Sequence, residues 1–441
     1  MSEKIIQFGT GNFLRGFADY FIHVLNEKAF FDGKVVIVKP TKGDRPNFIN
    51  EQNGRYNLFL RGIKNGEEVC EHCEIHSVTR CIDPYKDYEE YIKLAENNDL
   101  GIIISNTTEA GIEFDEDCLM SDKPALSFPG KLTQLLFARY NLGLEGFVIL
   151  PCELIDSNGD KLKECVLKYA QCWNLGDSFI EWVNRENNFL NTLVDRIVTG
   201  FPKDEAPEFY DVIGYEDKLL DTAEIYHLWV IEGNTEEILP FQKAGLNVIY
   251  TDNVSDYKKM KVRILNGAHT SLVFASLLSD VQTVGESLKN DLLKAFLNSC
   301  LFDCIMTVLD DTDENKGFAA AVLERFANPY IKHLWKSISL NSVSKFSVRV
   351  LPTIIDYEKL NGTLPLPLVF SLACLIEYYK TLTPQDNVDA VDFIKENSVS
   401  EILANENLWG CDISRMSETV EECLEKIHTV GISEAIKWAM S

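Results

Sequence analysis

The segment Lys261-Val262-Arg263-Ile264-Leu265-Asn266-Gly267-Ala268-His269-Thr270 sets an amine, an amide and an imidazole close together in the chain. These groups suit the reduction of a ketone. Hydride arriving at the carbonyl carbon leaves charge on the oxygen, which needs a proton donor. A lysine whose pKa is lowered by burial can give that proton near neutral pH. An amide and an imidazole can hydrogen-bond the developing alkoxide. At about 100° per residue of an α-helix, Lys261, Asn266 and His269 fall within an arc of about 140°. Asn266 and His269, three apart, are neighbours on its surface. Gly267 costs helix stability and leaves room for a close approach. On residues alone a plainer reading stands beside this one: a solvated lysine, with Asn and His satisfied in a core or cap.

A second constellation lies near the beginning of the chain. Gly9-Thr10-Gly11-Asn12-Phe13-Leu14-Arg15-Gly16 follows the apolar run Lys4 to Phe8 and opens an amphipathic stretch, Phe17 to Asn26. The first glycine permits a tight turn and the second lets backbone approach a pyrophosphate, with helix N–H groups beyond. Leu14 occupies the usual place of a third glycine. Arg15 adds a charge able to reach a phosphate. A dinucleotide site is therefore expected at Phe8, Gly9, Gly11, Asn12, Phe13 and Arg15; a strand–turn–helix without a ligand is the plainer alternative. The next strand, Val35-Val36-Ile37-Val38-Lys39-Pro40-Thr41, carries no acid for a ribose 2′-hydroxyl, and Lys39 would tolerate a 2′-phosphate. The residues do not separate NAD from NADP. Asn106-Thr107-Thr108-Glu109-Ala110-Gly111 follows another apolar run, Gly101 to Ser105, so Thr108 and Glu109 are either at the ligand crevice or in a plain loop.

Elements must hold these groups. Apolar runs at Lys4–Phe8, Lys34–Val38, Tyr56–Arg61, Leu100–Ile104 and Phe147–Leu150, with alternation across Glu68–Arg80, interleave with helical patterns at Tyr85–Ala95 and Pro129–Tyr140. That order predicts an α/β fold, a Rossmann-type parallel sheet with crossover helices. From about Val254 helical periodicity dominates, through Leu265–Leu278, Leu288–Val308, Ala319–Phe326 and Leu368–Thr381. The expected division is a dinucleotide-binding domain over 1–250 and a mostly α-helical C-terminal domain over 251–441. The join is poorly marked between Leu239 and Asp256.

The bulk properties narrow the classes. With 441 residues, 46% apolar and 25% charged, the chain is globular and long enough for two domains. A net charge of −26 excludes nucleic acid and anionic membranes as partners. It also requires local Lys or Arg wherever an anionic substrate binds. Leu366–Ile376 is too short and broken to span a bilayer. Met-Ser-Glu-Lys-Ile-Ile leads directly into a strand, so the expected location is the cytoplasm. Twelve cysteines spread along such a chain imply reduced thiols. Cys70-Glu71-His72-Cys73 and His76 resemble half a zinc site, but no second ligand pair follows; a hairpin with incidental cysteines is expected, and no metal.

Taken together, several of these segments resemble the long-chain polyol dehydrogenases typified by mannitol 2-dehydrogenase, which include the hexuronate reductases. The resemblance spans nearly the whole chain. It rests on Gly9 to Arg15, on Thr108-Glu109-Ala110-Gly111, on Asn191-Thr192-Leu193-Val194-Asp195-Arg196-Ile197, and above all on the spacing of Lys261, Asn266 and His269. It implies a metal-independent mechanism with NAD, in which Lys261 is the general acid or base and Asn266 and His269 polarise the reacting oxygen. It further implies Asp195 near the substrate, an active site between two domains, and often a monomer; the oligomeric state is not readable from the residues. Pro151-Cys152-Glu153-Leu154-Ile155 departs from the family's Ser-Cys-Asp-Asn pattern and is similar to the tagaturonate-reducing branch. Lys345 and Arg349 lie in a segment that the family places near the substrate, and either suits a carboxylate. The implied reaction is reduction of D-tagaturonate to D-altronate with NADH. Fructuronate reduction and mannitol oxidation are the alternatives within the family, and a silent dinucleotide-binding sensor is the alternative outside catalysis.

Overall fold

A computed structural model describes residues 1–43 and 47–441, with Glu109 by its backbone alone. Asp44, the first acid after the second strand, lies outside the described residues. The chain divides into two compact units, one of Met1–Arg61 with Val69–Ser255, the other of Gly62–Glu68 with Asp256–Ser441. The division falls at Ser255/Asp256 rather than at 250/251. A short piece from the N-terminal part also joins the second unit, which the sequence did not signal.

In the first unit, β1 (Ser2–Phe8), β2 (Gly33–Val38), β5 (Val78–Ile82), β6 (Ile102–Ser105), β7 (Val148–Pro151) and β8 (Asn188–Phe189) form one sheet. Its order is β5-β2-β1-β6-β7-β8, and all five pairings are parallel. Both faces are covered at the centre of the sheet, so β2, β6 and β7 read as nearly continuous apolar runs. Ile5, Val35, Ile37, Ile102 and Ile104 pack into one core, and Ile6, Val36, Val38, Ile103 and Ile149 into the other, as alternate residues of a pleated strand must. Each such side chain, fully buried, stabilises the fold by roughly 1.5–3 kcal/mol.

Two smaller sheets complete the unit. β3 (Tyr56–Lys64) lies between β4 (Glu67–Ile75) and β10 (Asp221–Glu224); β11 (Leu228–Glu232) lies between β9 (Thr192–Asp195) and β12 (Val248–Thr251). The β3–β4 hairpin turns through Asn65 and Gly66, at φ 55° and 79°. Two successive positive φ values make a type I′ turn, which matches the twist of the flanking strands. Its tip belongs to the second unit, where the Gly66 N–H donates to Glu324 Oε1 at 3.1 Å.

The second unit is helical. The apolar helix Leu366–Thr381 is buried along most of its length and packs against Gly267–Leu278 and Ser417–Val430. The expected long helix Leu288–Val308 is instead Asp291–Asn298 followed by a π-helical segment, Ser299–Ile305. Among the described residues no helix is long and apolar enough to cross a membrane.

Candidate active site

The three residues singled out around position 265 lie on a continuous rod, but not on a uniform α-helix. Val254–Lys261 is α-helical, Val262–Asn266 is π-helical, and Gly267–Leu278 is α-helical again. The Gly267 N–H points to the Val262 carbonyl, five residues back. In such a turn residue i+5, not i+4, stacks next above residue i. Lys261 and Asn266 are five apart, so the π turn draws them onto one face more closely than the α-helical arc allows. The 100° reading is corrected accordingly. Lys261, Val262, Asn266 and His269 are half-buried, whereas Arg263, Ile264, Leu265, Gly267, Ala268 and Thr270 are buried. Between positions 261 and 270 the catalytic candidates are thus among the partly open residues of the rod.

Neighbouring elements fix these residues. The His269 ring stacks on Phe326, with centroids 4.0 Å apart and planes 13° apart, and meets His333 and Trp335 edge-on. Such a platform leaves the imidazole little rotational freedom. Arg263 donates to Thr353 Oγ1 and Asp356 Oδ2, both at 2.8 Å, which anchors the π segment to the helix Leu351–Asn361. The amide of Asn266 has no hydrogen-bond partner among the described residues.

Gly267 has its close approach. A Cβ there would stand 3.3 Å from the Arg349 carbonyl. The helix Ser342–Arg349 thus rests on the rod and brings Arg349 beside the catalytic candidates. Burial depresses the pKa of the half-buried Arg349, and among the described residues it has neither ion pair nor hydrogen bond. Lys345 is engaged: its Nζ donates to the Ile338 carbonyl at 2.8 Å. Burial, and then the charge of Arg349, lower its pKa. Of the two expected carboxylate binders, Arg349 is the uncommitted one.

The glycine turn ends β1 in the first unit. Gly9 adopts φ 138°, and a Cβ there would meet the Asn106 carbonyl at 2.8 Å and Leu14 Cδ1 at 2.9 Å, so the fold itself demands glycine. At Gly11 a Cβ would meet nothing within 4 Å. The space above Gly11 is open, and the residues present fit a pyrophosphate brought against exposed backbone. Two expected contacts are corrected. Phe8 is fully buried, its ring packed on Tyr91 and Phe128, so only its backbone faces the turn. Arg15 is 5% exposed and directed inward. It donates to the Leu219 carbonyl at 2.6 Å and to the Asn12 side chain, and stands 3.8 Å from Asp221. Its donors brace the turn from behind rather than reach for a phosphate. Phe13 stacks on Phe17 at 5.1 Å. The helix opened at Asn12 breaks at Phe17 and resumes at Ala18, because Tyr56 Oη and Arg196 Nη1 take the Arg15 and Gly16 carbonyls that a continuous helix would use.

The loop after β6 is held by a residue that sequence reasoning noted but did not assign. Glu153 is buried and accepts from Ser105 Oγ, Thr107 N–H and Thr107 Oγ1 at 2.9–3.0 Å. Burial raises its pKa against the pull of those hydrogen bonds. Thr108, next in the loop and exposed, sits at φ 78°, strained for a β-branched residue. The side chain of Glu109 lies outside the described residues. Asn158 secures the same corner, donating to the carbonyls of Pro151, Glu153 and Thr192 and accepting from the N–H of Thr192. Leu154 is 63% exposed in the loop after β7. Asp195 is 6% exposed at the end of β9, in the first unit, whereas Lys345 and Arg349 are in the second.

Comparison with known proteins agrees with this architecture. Residues 3–241 match the mannitol dehydrogenase Rossmann domain, and residues 253–431 the mannitol dehydrogenase C-terminal domain. An altronate oxidoreductase of Bacillus subtilis (strain 168) is 43% identical, covering 99% of this chain and 95% of its own. One of Escherichia coli O6:K15:H31 is 42% identical over 99% and 96%. Among solved structures, a D-sorbitol dehydrogenase in substrate-free form superposes with a TM-score of 0.87 at 21% identity, covering 99% of this chain and 95% of that one. A Pseudomonas fluorescens mannitol 2-dehydrogenase, in ternary complex with NAD and D-mannitol, superposes at 0.70 and 20% identity, covering 99% and 94%. A parallel-sheet unit with an open glycine turn, a helical unit with a lysine–asparagine–histidine set, and family matches over both place the chain in the mannitol dehydrogenase family of oxidoreductases.

Proposed function

We propose that the chain is a cytoplasmic NAD-dependent tagaturonate reductase, converting D-tagaturonate to D-altronate reversibly. The observation that carries this reading is Arg349, a half-buried guanidinium without a carboxylate partner among the described residues, set against the rod that bears Lys261, Asn266 and His269. A cation left uncommitted in a chain of net charge −26 suits a substrate that brings its own carboxylate. The likeness to altronate oxidoreductases supports the same choice.

In this reading the dinucleotide, bound at the Gly9–Asn12 turn, supplies the hydride. Asn266 and His269 hold the keto oxygen and stabilise its growing charge. Lys261 Nζ gives that oxygen a proton as the C–H bond forms, and takes it back when altronate is oxidised. Lys261 then recovers its proton from solvent, so each turnover consumes one proton in reduction. Asp195 and Lys345 serve the substrate as polar neighbours.

The test is absorbance at 340 nm with NADH against tagaturonate, fructuronate and fructose, for the wild type and Lys261→Ala. Oxidation with tagaturonate far above the other two is expected, and a loss of kcat of about 1,000-fold or more in the variant, since a general acid contributes about 10²–10⁴. NADH binding by fluorescence stays within about twofold, because in this reading Lys261 acts on the substrate oxygen and not on the dinucleotide. Turnover of fructuronate or fructose instead, or an active Lys261→Ala enzyme, removes the proposal.

A further inference from the structure

In this fold the residue at the end of β2 faces the adenine-side ribose, and an acid is usual there. Here it is Lys39, with no acid beside it in the sequence. Gly9 N–H donates to the Val38 carbonyl at 3.3 Å, and Lys39 N–H to the Ile82 carbonyl at 2.9 Å. The glycine turn, Lys39 and Asp83, the first residue after β5, therefore occupy one corner of the sheet.

Lys39 reaches across that corner. Its Nζ lies 2.9 Å from Asp83 Oδ2, with the two side chains 14% and 13% exposed, and it also donates to the Gly43 carbonyl. Asp83 is not free to swing away. Its Oδ1 accepts the Tyr85 N–H at 3.1 Å, and its carbonyl accepts from the N–H groups of Lys86 and Asp87. The missing acid is thus supplied by the neighbouring strand, through a lysine. An ammonium has three donors, and two are spent here.

We propose that the Lys39–Asp83 pair is the element that selects NAD over NADP. Asp83 cancels the charge that a 2′-phosphate would need, and its carboxylate repels that phosphate. The remaining Lys39 donor serves a ribose hydroxyl. This inference rests on the dinucleotide reading above. Asp83→Asn keeps the shape and the acceptor for Tyr85 while leaving Lys39 uncancelled.

Fluorescence titration with NADH and NADPH tests the pair without any turnover. The wild type is expected to bind NADH about tenfold or more tightly than NADPH, and Asp83→Asn to tighten NADPH about tenfold with NADH within about threefold. Adding Lys39→Met to that variant abolishes the gain. Lys39→Met alone, which leaves the Tyr85 turn intact, weakens NADH binding about threefold or more and creates no NADPH binding. A wild type indifferent to the two cofactors overturns the proposal, as does an NADPH gain that never appears or that survives loss of Lys39. A wild type that binds neither dinucleotide overturns the function proposed above as well, which separates the two failures.

Discussion

Arg15 and Arg349 are both cations taken out of water, and their partners decide their roles. Arg15 has a carbonyl, an amide and a nearby carboxylate, so its charge is spent inside the first unit. Arg349 has none among the described residues, and an unpaired guanidinium is costly to bury unless a ligand completes it. Arg349→Ala is therefore expected to raise KM for the sugar acid about 10- to 100-fold, the worth of one charged hydrogen-bonded contact. Any turnover of a neutral keto sugar should stay the same. Steady-state kinetics on both substrates decide it; an equal loss on both would make Arg349 a scaffold residue. Residue types could be named from the sequence, but Lys261, Asn266, His269 and Gly267 carried a plainer reading too, and the family resemblance rather than their spacing alone favours the catalytic one. The direction of a side chain was not legible. Nothing in Gly-Asn-Phe-Leu-Arg says that the arginine turns inward; that follows from Asp221 and Leu219, distant in sequence.

At the scale of elements, long apolar runs announced β1, β2, β6 and β7, and the structure has them within a residue or two of the expected ends. The short strands of the smaller sheets were not announced. Asp221–Glu224 is polar by composition yet wholly buried, paired in register with β3 and with the Arg15 guanidinium 3.8 Å from Asp221. Tertiary pairing, not local propensity, makes it a strand. The π turn was equally silent, because Val262–Asn266 has nothing in its composition that an α-helix lacks. Asn158 shows how much one polar residue can hold between elements. Its side chain bridges β7, the loop that carries Glu153, and the start of β9. Asn158→Ala would leave those buried groups unsatisfied and is expected to destabilise the first unit by roughly 2–4 kcal/mol. A urea titration should show the midpoint fall with an unchanged slope. A variant as stable as the wild type would mean that water replaces the amide.

Across the whole molecule, stability should depend on pH through a buried pair behind the glycine turn. Burial pushes both Asp19 and Asp221 up to about 7, against hydrogen bonds from Gln7 and Tyr56 to the first and the charge of Arg15 on both. Between the ordinary value of 3.8 and about 7 the folded state keeps protons that the unfolded chain has released. Stability contributed by these groups is accordingly present at low pH and lost as pH rises through about 7. Asp19→Asn removes one of the two titrations. Its urea midpoint is expected to exceed that of the wild type most at pH 8, less at pH 5, and to match it only near the ordinary value of 3.8; an identical pH dependence in both proteins would discount Asp19.

The two-unit plan was legible as a change of periodicity near Val254, but the return of Gly62–Glu68 to the second unit was not, since nothing local marks it. That hairpin tip bears on how the gene can be cut. The peptide that closes over Glu324 is synthesised long before Glu324 itself, so the second unit is finished with a part made early. A recombination break at 255/256 that joins halves of two relatives would separate the tip from the surface it fits. The heritable module is therefore not residues 256–441 but those residues together with the tip, and the two stretches must descend as a pair.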